Sequence, residues 1–125
     1  MHEIGIAVEI LHGALKATEE REGSAPVRLL RVRVAVGELS SMDPAALKHA
    51  WQSVVSGSLH EHAELEVVWC PVYRMCPSCN AVKEELDCAT PNLCPDCHGP
   101  LAVEGGRELD LETVEFERIE SKQPQ

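Results

Sequence analysis

The chain is poor in aromatic and in basic residues, and the shortage of basic residues excludes a class of partner. Of its 125 residues only 3% are aromatic, and the apolar residues are mainly Val, Leu and Ala. Eleven Lys and Arg stand against 21 Asp and Glu, which gives a formal net charge of −10. Binding to a phosphate backbone needs a stripe of Lys and Arg, and the sequence contains none. We therefore expect no nucleic-acid partner.

Long hydrophobic runs and an export signal are also missing. No apolar run approaches the ~20 residues that a membrane-spanning helix requires. The N-terminus lacks the basic and then apolar segments of a signal peptide, and Glu3 and Glu9 interrupt it. We therefore expect no membrane partner and a cytoplasmic location. In that compartment the six cysteines would be reduced, which favours metal binding over disulfide formation.

Four of the six cysteines form two C-x-x-C motifs. The motifs are Cys76-Pro77-Ser78-Cys79 and Cys94-Pro95-Asp96-Cys97, and fourteen residues separate them. This spacing is typical of a zinc ribbon, in which four thiolates surround one metal ion as a tetrahedron. The sequence thus predicts a structural zinc ion whose ligands are Cys76, Cys79, Cys94 and Cys97.

No motif indicates catalysis. The sequence has no glycine-rich phosphate loop, no G-x-S-x-G turn and no H-E-x-x-H helix. A zinc ion with four thiolate ligands has no open position for a substrate. We therefore predict that the protein is not an enzyme.

Three residues near the motifs have less defined roles. We expect Cys70 and Cys88, which lie outside both motifs, to be small buried residues. His98 directly follows Cys97, and we interpret it as a turn residue, with a substitute metal ligand as the alternative.

The first half of the chain reads as a helix, a strand and a second helix. Apolar residues at three- and four-residue steps predict a helix over 4–21. A strand over 27–36 is predicted to place Leu30 on the same face as three alternate valines. Asp43 is predicted to cap the second helix, with Pro44 in its first position. The helical stripes are Ile4, Ala7, Val8, Leu11, Ala14, Leu15 and Thr18 in the first helix, and Leu47, Ala50, Trp51, Val54 and Val55 in the second.

The second half predicts two strands that flank the cysteine motifs. Residues 63–69 alternate as a strand, and residues 107–119 form an extended segment. The apolar positions of that segment change parity between Leu111 and Val114, which predicts either a bulge near Glu112 and Thr113 or two short strands.

The zinc module therefore reads as an insertion into a larger unit. We expect an α+β fold with a small three-stranded sheet, two helices on one face of it, and the inserted zinc ribbon. Residues 1–70 and 104–125 would form one discontinuous domain, and residues 71–103 would form the zinc-ribbon domain.

The N-terminal residues Met1, His2 and Glu3 can form a chelate. The α-amine of Met1 and the amide of His2 close a five-membered ring, and the imidazole closes a second ring with the same amide. Planar nitrogen-rich sites suit Ni(II) or Cu(II). From these residues alone, an ordinary exposed N-terminus is the competing interpretation.

Taken together, these motifs resemble those of the HypA/HybF nickel metallochaperones of [NiFe]-hydrogenase maturation. The most specific part of this resemblance is the combination of an N-terminal Met-His-Glu with two C-x-x-C motifs. The matching segments are Met1-His2-Glu3, Val34-Ala35-Val36-Gly37-Glu38-Leu39-Ser40, Met42-Asp43-Pro44, Glu61-His62-Ala63-Glu64-Leu65-Glu66, the four cysteines and Gly106-Arg107-Glu108-Leu109.

The resemblance implies a nickel site carried by Met1, His2 and Glu3, and a structural zinc on the four motif cysteines. It implies two partners, a HypB-type GTPase and the large subunit of a [NiFe]-hydrogenase. The chain itself would be a monomer or a homodimer. Nickel would be a transient cargo, and zinc would remain bound.

Two other functions are compatible with the motifs. The zinc ribbon could belong to a regulatory or scaffold protein that binds another protein through it. Alternatively, the C-x-x-C thiols could form a redox switch that ejects zinc on oxidation, with Cys70 or Cys88 as resolving thiols.

Overall fold

The structure is a computed structural model, and it describes residues 2–84, 86 and 89–119, apart from the side chain of His2. Predictions that concern Met1 and Cys88 therefore lie outside the described residues. The elements are α1 (His2–Glu22), β1 (Val27–Gly37), a short 3-10 turn (Glu38–Ser40), α2 (Pro44–Val55), β2 (Glu64–Cys70), β3 (Tyr73–Cys76), β4 (Ala81–Lys83), β5 (Ala102–Glu104) and β6 (Leu109–Arg118).

The predicted α+β fold, with a three-stranded sheet, two helices and an inserted cysteine-bearing module, is confirmed, and the module contains a sheet of its own. The first sheet has the order β2-β1-β6, with β1 parallel to β2 and antiparallel to β6. The strands before and after the inserted segment thus belong to one sheet, although each pairs with β1 rather than with the other. The second sheet has the order β4-β3-β5 and lies entirely between residues 73 and 104.

The main core lies between the first sheet and the two helices. Both helices contact the sheet, α1 at β6 and α2 at β2, and they contact each other. Trp51 is fully buried in this core, and its indole Nε1–H donates a hydrogen bond to the carbonyl of Ala63 at 2.9 Å. The buried residues are Ala7, Ile10, Ala14, Leu29, Val32, Val34, Val36, Met42, Leu47, Ala50, Trp51, Val55, Ala63 and Leu65.

Helix α2 begins as predicted. Asp43 has an extended backbone, and its carboxylate accepts a hydrogen bond from the amide of Ala45 at 3.0 Å, while Pro44 occupies the first turn. This arrangement satisfies one of the amides that a helix start leaves without an intrahelical partner.

The predicted inward face of β1 is wrong at one position. Leu30 is 44% exposed, whereas Leu29 is buried. The register between β1 and β6 shifts between Leu29 and Arg31, so Leu30 is an extra residue in β1. A single extra residue in a strand moves the side chains before it to the opposite face of the sheet. The predicted bulge in the last strand is confirmed, because Val34 pairs with Leu111 and Arg33 with Thr113, which leaves Glu112 unpaired in the ladder.

The predicted stripe of α1 is displaced around the helix. The helix begins at His2, two residues earlier than predicted. Its buried residues are Ala7, Ile10, Ala14 and Thr18, whereas the predicted Ile4 is 48% exposed. The burial of Ile10 was not predicted, because apolar residues also flank the buried face of the helix. Their pattern alone does not show which of them point into the core.

Candidate metal centres

The structure brings the four motif cysteines together. Their sulfur atoms all lie within 4.8 Å of one another, with Cys76 Sγ 3.5 Å from Cys97 Sγ and Cys79 Sγ 3.9 Å from Cys94 Sγ. A tetrahedral zinc ion with Zn–S bonds of about 2.3 Å separates its sulfurs by roughly 3.8 Å. The four side chains therefore fit a closed tetrahedral metal site.

Each motif folds as a tight turn that directs backbone amides at its first sulfur. The amide of Cys79 donates to Cys76 Sγ at 3.3 Å. The amides of Asp96 and Cys97 donate to Cys94 Sγ at 3.4 and 3.5 Å. Such hydrogen bonds stabilise the thiolate, which is the form that binds metal.

The turns close on residues with left-handed backbones. Asn80 and His98 have φ of 57° and 63°, and their amides donate to the carbonyls of Cys76 at 2.7 Å and Cys94 at 2.9 Å. His98 is therefore a turn residue, as predicted. In the described part of the chain, the side chains close enough together to hold one metal ion are those of the four cysteines, and His98 is not among them.

The thiols of the cluster differ in acidity. Amide hydrogen bonds, first from Cys97, lower the pKa of Cys94 to about 6, and the amide of Cys79 lowers the pKa of Cys76. The hydrogen bond with Cys76 is the first cause that raises the pKa of Cys79 to about 12. Adjacent thiolates repel one another, so full ionisation of the cluster needs a cation at its centre.

Lys83 connects the two halves of the cysteine cluster. Its Nζ lies 2.7 Å from Asp96 Oδ2, so the ion pair joins β4 to the second motif. The hydrogen bond to Asp96 is the first cause that raises the pKa of Lys83, and the nearby Cys79 and Cys94 raise it further. The ammonium group therefore places a positive charge beside the thiols. No motif in the sequence marks Lys83.

Cys70 does not join the cluster, and its predicted burial is wrong. The residue is partly exposed at the end of β2, where it pairs with Gly37. Partial desolvation and then the carboxylate of Glu108 raise the pKa of its thiol. A raised pKa keeps the thiol protonated and less reactive at neutral pH.

Two of the three residues predicted to bind nickel, His2 and Glu3, lie at the start of α1. The backbone of His2 and Glu3 is helical, whereas Met1 and the His2 imidazole lie outside the described part of the structure. Ile6 and Ile10 line a groove with Leu109, so the first half of α1 lies over the start of β6. The N-terminal end of the helix is thus at the end of the sheet to which the cysteine-bearing segment is attached.

The attachment between the two sheets is a close backbone contact. The amide of Gly37 donates to the carbonyl of Glu108 at 2.7 Å, and the amide of Leu39 donates to that of Gly106 at 2.5 Å. The carboxylate of Glu38 accepts from the amide of Val72 at 3.1 Å. Both places where the chain passes between the sheets are therefore held by the end of β1 and the 3-10 turn that follows it. The sequence signal for this contact is the Gly37-Glu38 pair, which by itself indicates only a turn after the strand.

Residues 1–116 match the family model described as hydrogenase/urease nickel incorporation, metallochaperone, HypA. The chain belongs to the HypA family. This is a family of metallochaperones in hydrogenase maturation and not of enzymes.

Curated relatives match this chain over nearly their full length. The chain is 34% identical to the hydrogenase maturation factor HypA of Rhodobacter capsulatus over 119 residues, with 92% of this chain and 98% of the relative covered. It is 32% identical to the HypA of Moorella thermoacetica over 118 residues, with 94% and 100% covered.

Two solved HypA structures share the fold. One, described as the solution structure of HypA protein, has a TM-score of 0.67 at 24% identity and covers 94% of this chain and 97% of its own. The nickel metallochaperone HypA of Helicobacter pylori has a TM-score of 0.60 at 23% identity, with 94% and 98% covered. No helix in the described residues is long and apolar enough to cross a membrane.

Proposed function

We propose that this HypA-family chain binds Ni(II) at its N-terminus and delivers it to the large subunit of a [NiFe]-hydrogenase, together with a HypB-type GTPase. The family match over residues 1–116, which includes Met1-His2-Glu3, is the observation that carries the proposal. Nickel delivery is proposed to take place in the cytoplasm, where the apo-enzyme, nickel and GTP would all be present.

The proposed nickel ligands are the α-amine of Met1, the amide and imidazole of His2, and Glu3 through its amide or its carboxylate. The amide of His2 is at the first position of α1. The first amides of an α-helix have no intrahelical acceptor, so loss of the His2 amide proton to nickel costs the helix no hydrogen bond. A chelate of this kind binds Ni(II) in a tetragonal geometry.

A nitrogen-rich chelate suits a carrier because it can be emptied. Protonation of the amine and imidazole competes with the metal, and a receiving site with thiolates binds it more tightly. A closed cage of four thiolates would release nickel less readily. We therefore assign the cargo to the N-terminus and not to the cysteine cluster.

We propose that Cys76, Cys79, Cys94 and Cys97 hold a structural zinc ion. The sulfur separations and the amide hydrogen bonds to Cys76 and Cys94 support this assignment. Zinc would stabilise the small second sheet, whose strands have only three or four residues each and could not be stable alone. The proposed division is a nickel-binding domain of residues 1–70 and 104–125 and a zinc-ribbon domain of residues 71–103.

Nickel in the hydrogenase itself tests the function. In a strain that lacks this chain, the large subunit should be purified and its nickel measured by mass spectrometry, after complementation with the wild type, with His2→Ala or with Cys70→Ser. We expect nickel to be restored by the wild type and by Cys70→Ser, but not by His2→Ala. Full restoration by His2→Ala would refute carriage at the N-terminus and favour a scaffold role for the zinc ribbon.

A further inference from the structure

Strand β2 has an open and regular edge. It is the terminal strand of the order β2-β1-β6, and its register with β1 runs from Glu64 to Cys70 without a shift. The opposite edge strand, β6, is interrupted at Glu112 and carries four carboxylates, compared with two on β2. Bulges and charges protect sheet edges against pairing with other chains. Among the described strands of this sheet, β2 therefore has the edge that remains suited to accept another strand.

A groove lies along this edge, and we call it the α2–β2 groove. Its volume is about 560 Å³. It is lined from both faces of the sheet, because α2 covers one face and Arg31 lies on the other. The groove therefore surrounds the first half of β2. Its lining residues are Arg31, Lys48, His49, Gln52, Glu64, Leu65 and Glu66.

The lining of the groove holds two basic side chains and two carboxylates in a strongly acidic chain, and both carboxylates already have arginine partners. Glu64 is paired with Arg31 at 3.4 Å, and Glu66 is paired with Arg33 at 3.3 Å. Lys48 is exposed on α2 and makes no ion pair within the part of the chain that the structure describes. One uncompensated ammonium group thus lies beside an open strand edge, in a molecule whose formal charge is −10.

We propose that the α2–β2 groove binds an extended acidic peptide segment of a partner protein, which pairs with β2 as an additional strand. Main-chain hydrogen bonds to the open edge would supply affinity, and a carboxylate opposite Lys48 would supply selectivity. A second copy of this chain fits the groove less well. The carboxylates of its own β2, Glu64 and Glu66, already pair with arginines and would leave Lys48 without a counter-charge.

Titration with two synthetic peptides tests this inference. The first is a capped seven-residue peptide of alternating threonine and valine that contains two glutamates, and the second has lysines in place of the glutamates. Binding is followed through the backbone amide resonances of the ¹⁵N-labelled full chain. We expect the acidic peptide to shift the amide resonances of Glu64–Cys70 and of α2. It should bind about tenfold more tightly than the lysine-containing peptide.

Charge reversal on each helix supplies the matched comparison. Lys48→Glu should weaken binding of the acidic peptide about tenfold, whereas Lys16→Glu, the same change at an exposed position of α1, should leave it unchanged. Equal binding of the two peptides, or shifts outside β2 and α2, would overturn the inference. Concentration-dependent shifts of β2 amides without any peptide would also overturn it, because they would indicate pairing between copies. Nickel affinity of Lys48→Glu should equal that of the wild type, so the result is independent of the proposed nickel site.

Discussion

Gly37 and Gly106 lie against each other where the two sheets are joined. A Cβ atom added to Gly37 would come within 2.2 Å of the carbonyl carbon and oxygen of Gly106. A Cβ atom added to Gly106 would come within 2.4 Å of Val72 Cγ1, and its φ of +80° disfavours any other residue. The zinc-ribbon segment can approach the first sheet this closely because neither residue has a side chain.

Gly37→Ala should therefore destabilise the protein by at least about 2 kcal/mol, since the opposing atoms belong to the backbone and cannot move aside. Gly5→Ala is the matched control. A Cβ at Gly5 meets nothing within 4 Å, and alanine is the better helix former, so this change should be neutral or stabilising by up to about 1 kcal/mol. Urea unfolding followed by circular dichroism measures both. Equal stabilities would mean that the glycine contact is not as close as described.

Zinc content should depend on the motif cysteines and not on Cys70. Cys94→Ser removes a buried ligand that receives two amide hydrogen bonds, and it should abolish stoichiometric zinc and unfold the second sheet. Structural zinc contributes roughly 10–16 kcal/mol of apparent binding energy, which the short strands cannot replace. Cys70→Ser should retain one zinc per chain by mass spectrometry. Loss of zinc from Cys70→Ser would show that the ligand set is wrong.

Lys83 should strengthen the binding of zinc. Its ion pair with Asp96 joins the two halves of the site, and its charge offsets that of the thiolates. Lys83→Met should lower zinc affinity about tenfold, as is common for residues that support metal ligands. Competition with a chromogenic chelator measures this, with Lys16→Met as a control of equal charge change. Equal zinc affinity in the two variants would show that Lys83 forms only a surface ion pair and does not support the zinc site.

Stability should fall in mildly acidic solution because of His60. The amide of Leu29 donates to His60 Nδ1 at 3.0 Å, so this nitrogen must be unprotonated. Desolvation and then Arg28 lower the pKa of His60 below its ordinary 6.5. The folded state therefore binds its proton less readily than the unfolded state does. The contribution is fully present above pH 6.5 and is lost as the pH falls through the lowered folded pKa.

Replacement of His60 tests this assignment. His60→Ala should cost about 0.5–1.5 kcal/mol at pH 7.5, and the difference from the wild type should shrink toward pH 5. His62→Ala, at an exposed position two residues away, should match the wild type at both values. Urea unfolding at the two pH values provides the comparison, and a constant deficit of His60→Ala would contradict the proposed titration.

Patterns with a local cause were predictable from the sequence. Asp43 and Pro44 define a helix start through their own chemistry, and the parity change in the last strand correctly placed the bulge at Glu112. The extra residue in β1 was not predictable, because Leu29 and Leu30 are both leucine and only the pairing with β6 decides which one is buried. The acceptor role of Glu38 was not predictable for a related reason, since its partner Val72 is distant in sequence.

The central claim is that nickel binds at the N-terminal amine and His2, and calorimetric titration of nickel tests it most directly. Three zinc-loaded proteins should be compared: one with the native N-terminus, one with additional residues before Met1, and His2→Ala. The two chelate rings share one amide and need the amine on residue 1, so the extension should weaken binding nearly as much as His2→Ala. A tag after Gln125 should have no effect, and Glu3→Gln should cost less than His2→Ala. Equal nickel affinity in the three proteins would contradict the account and place nickel elsewhere in the chain.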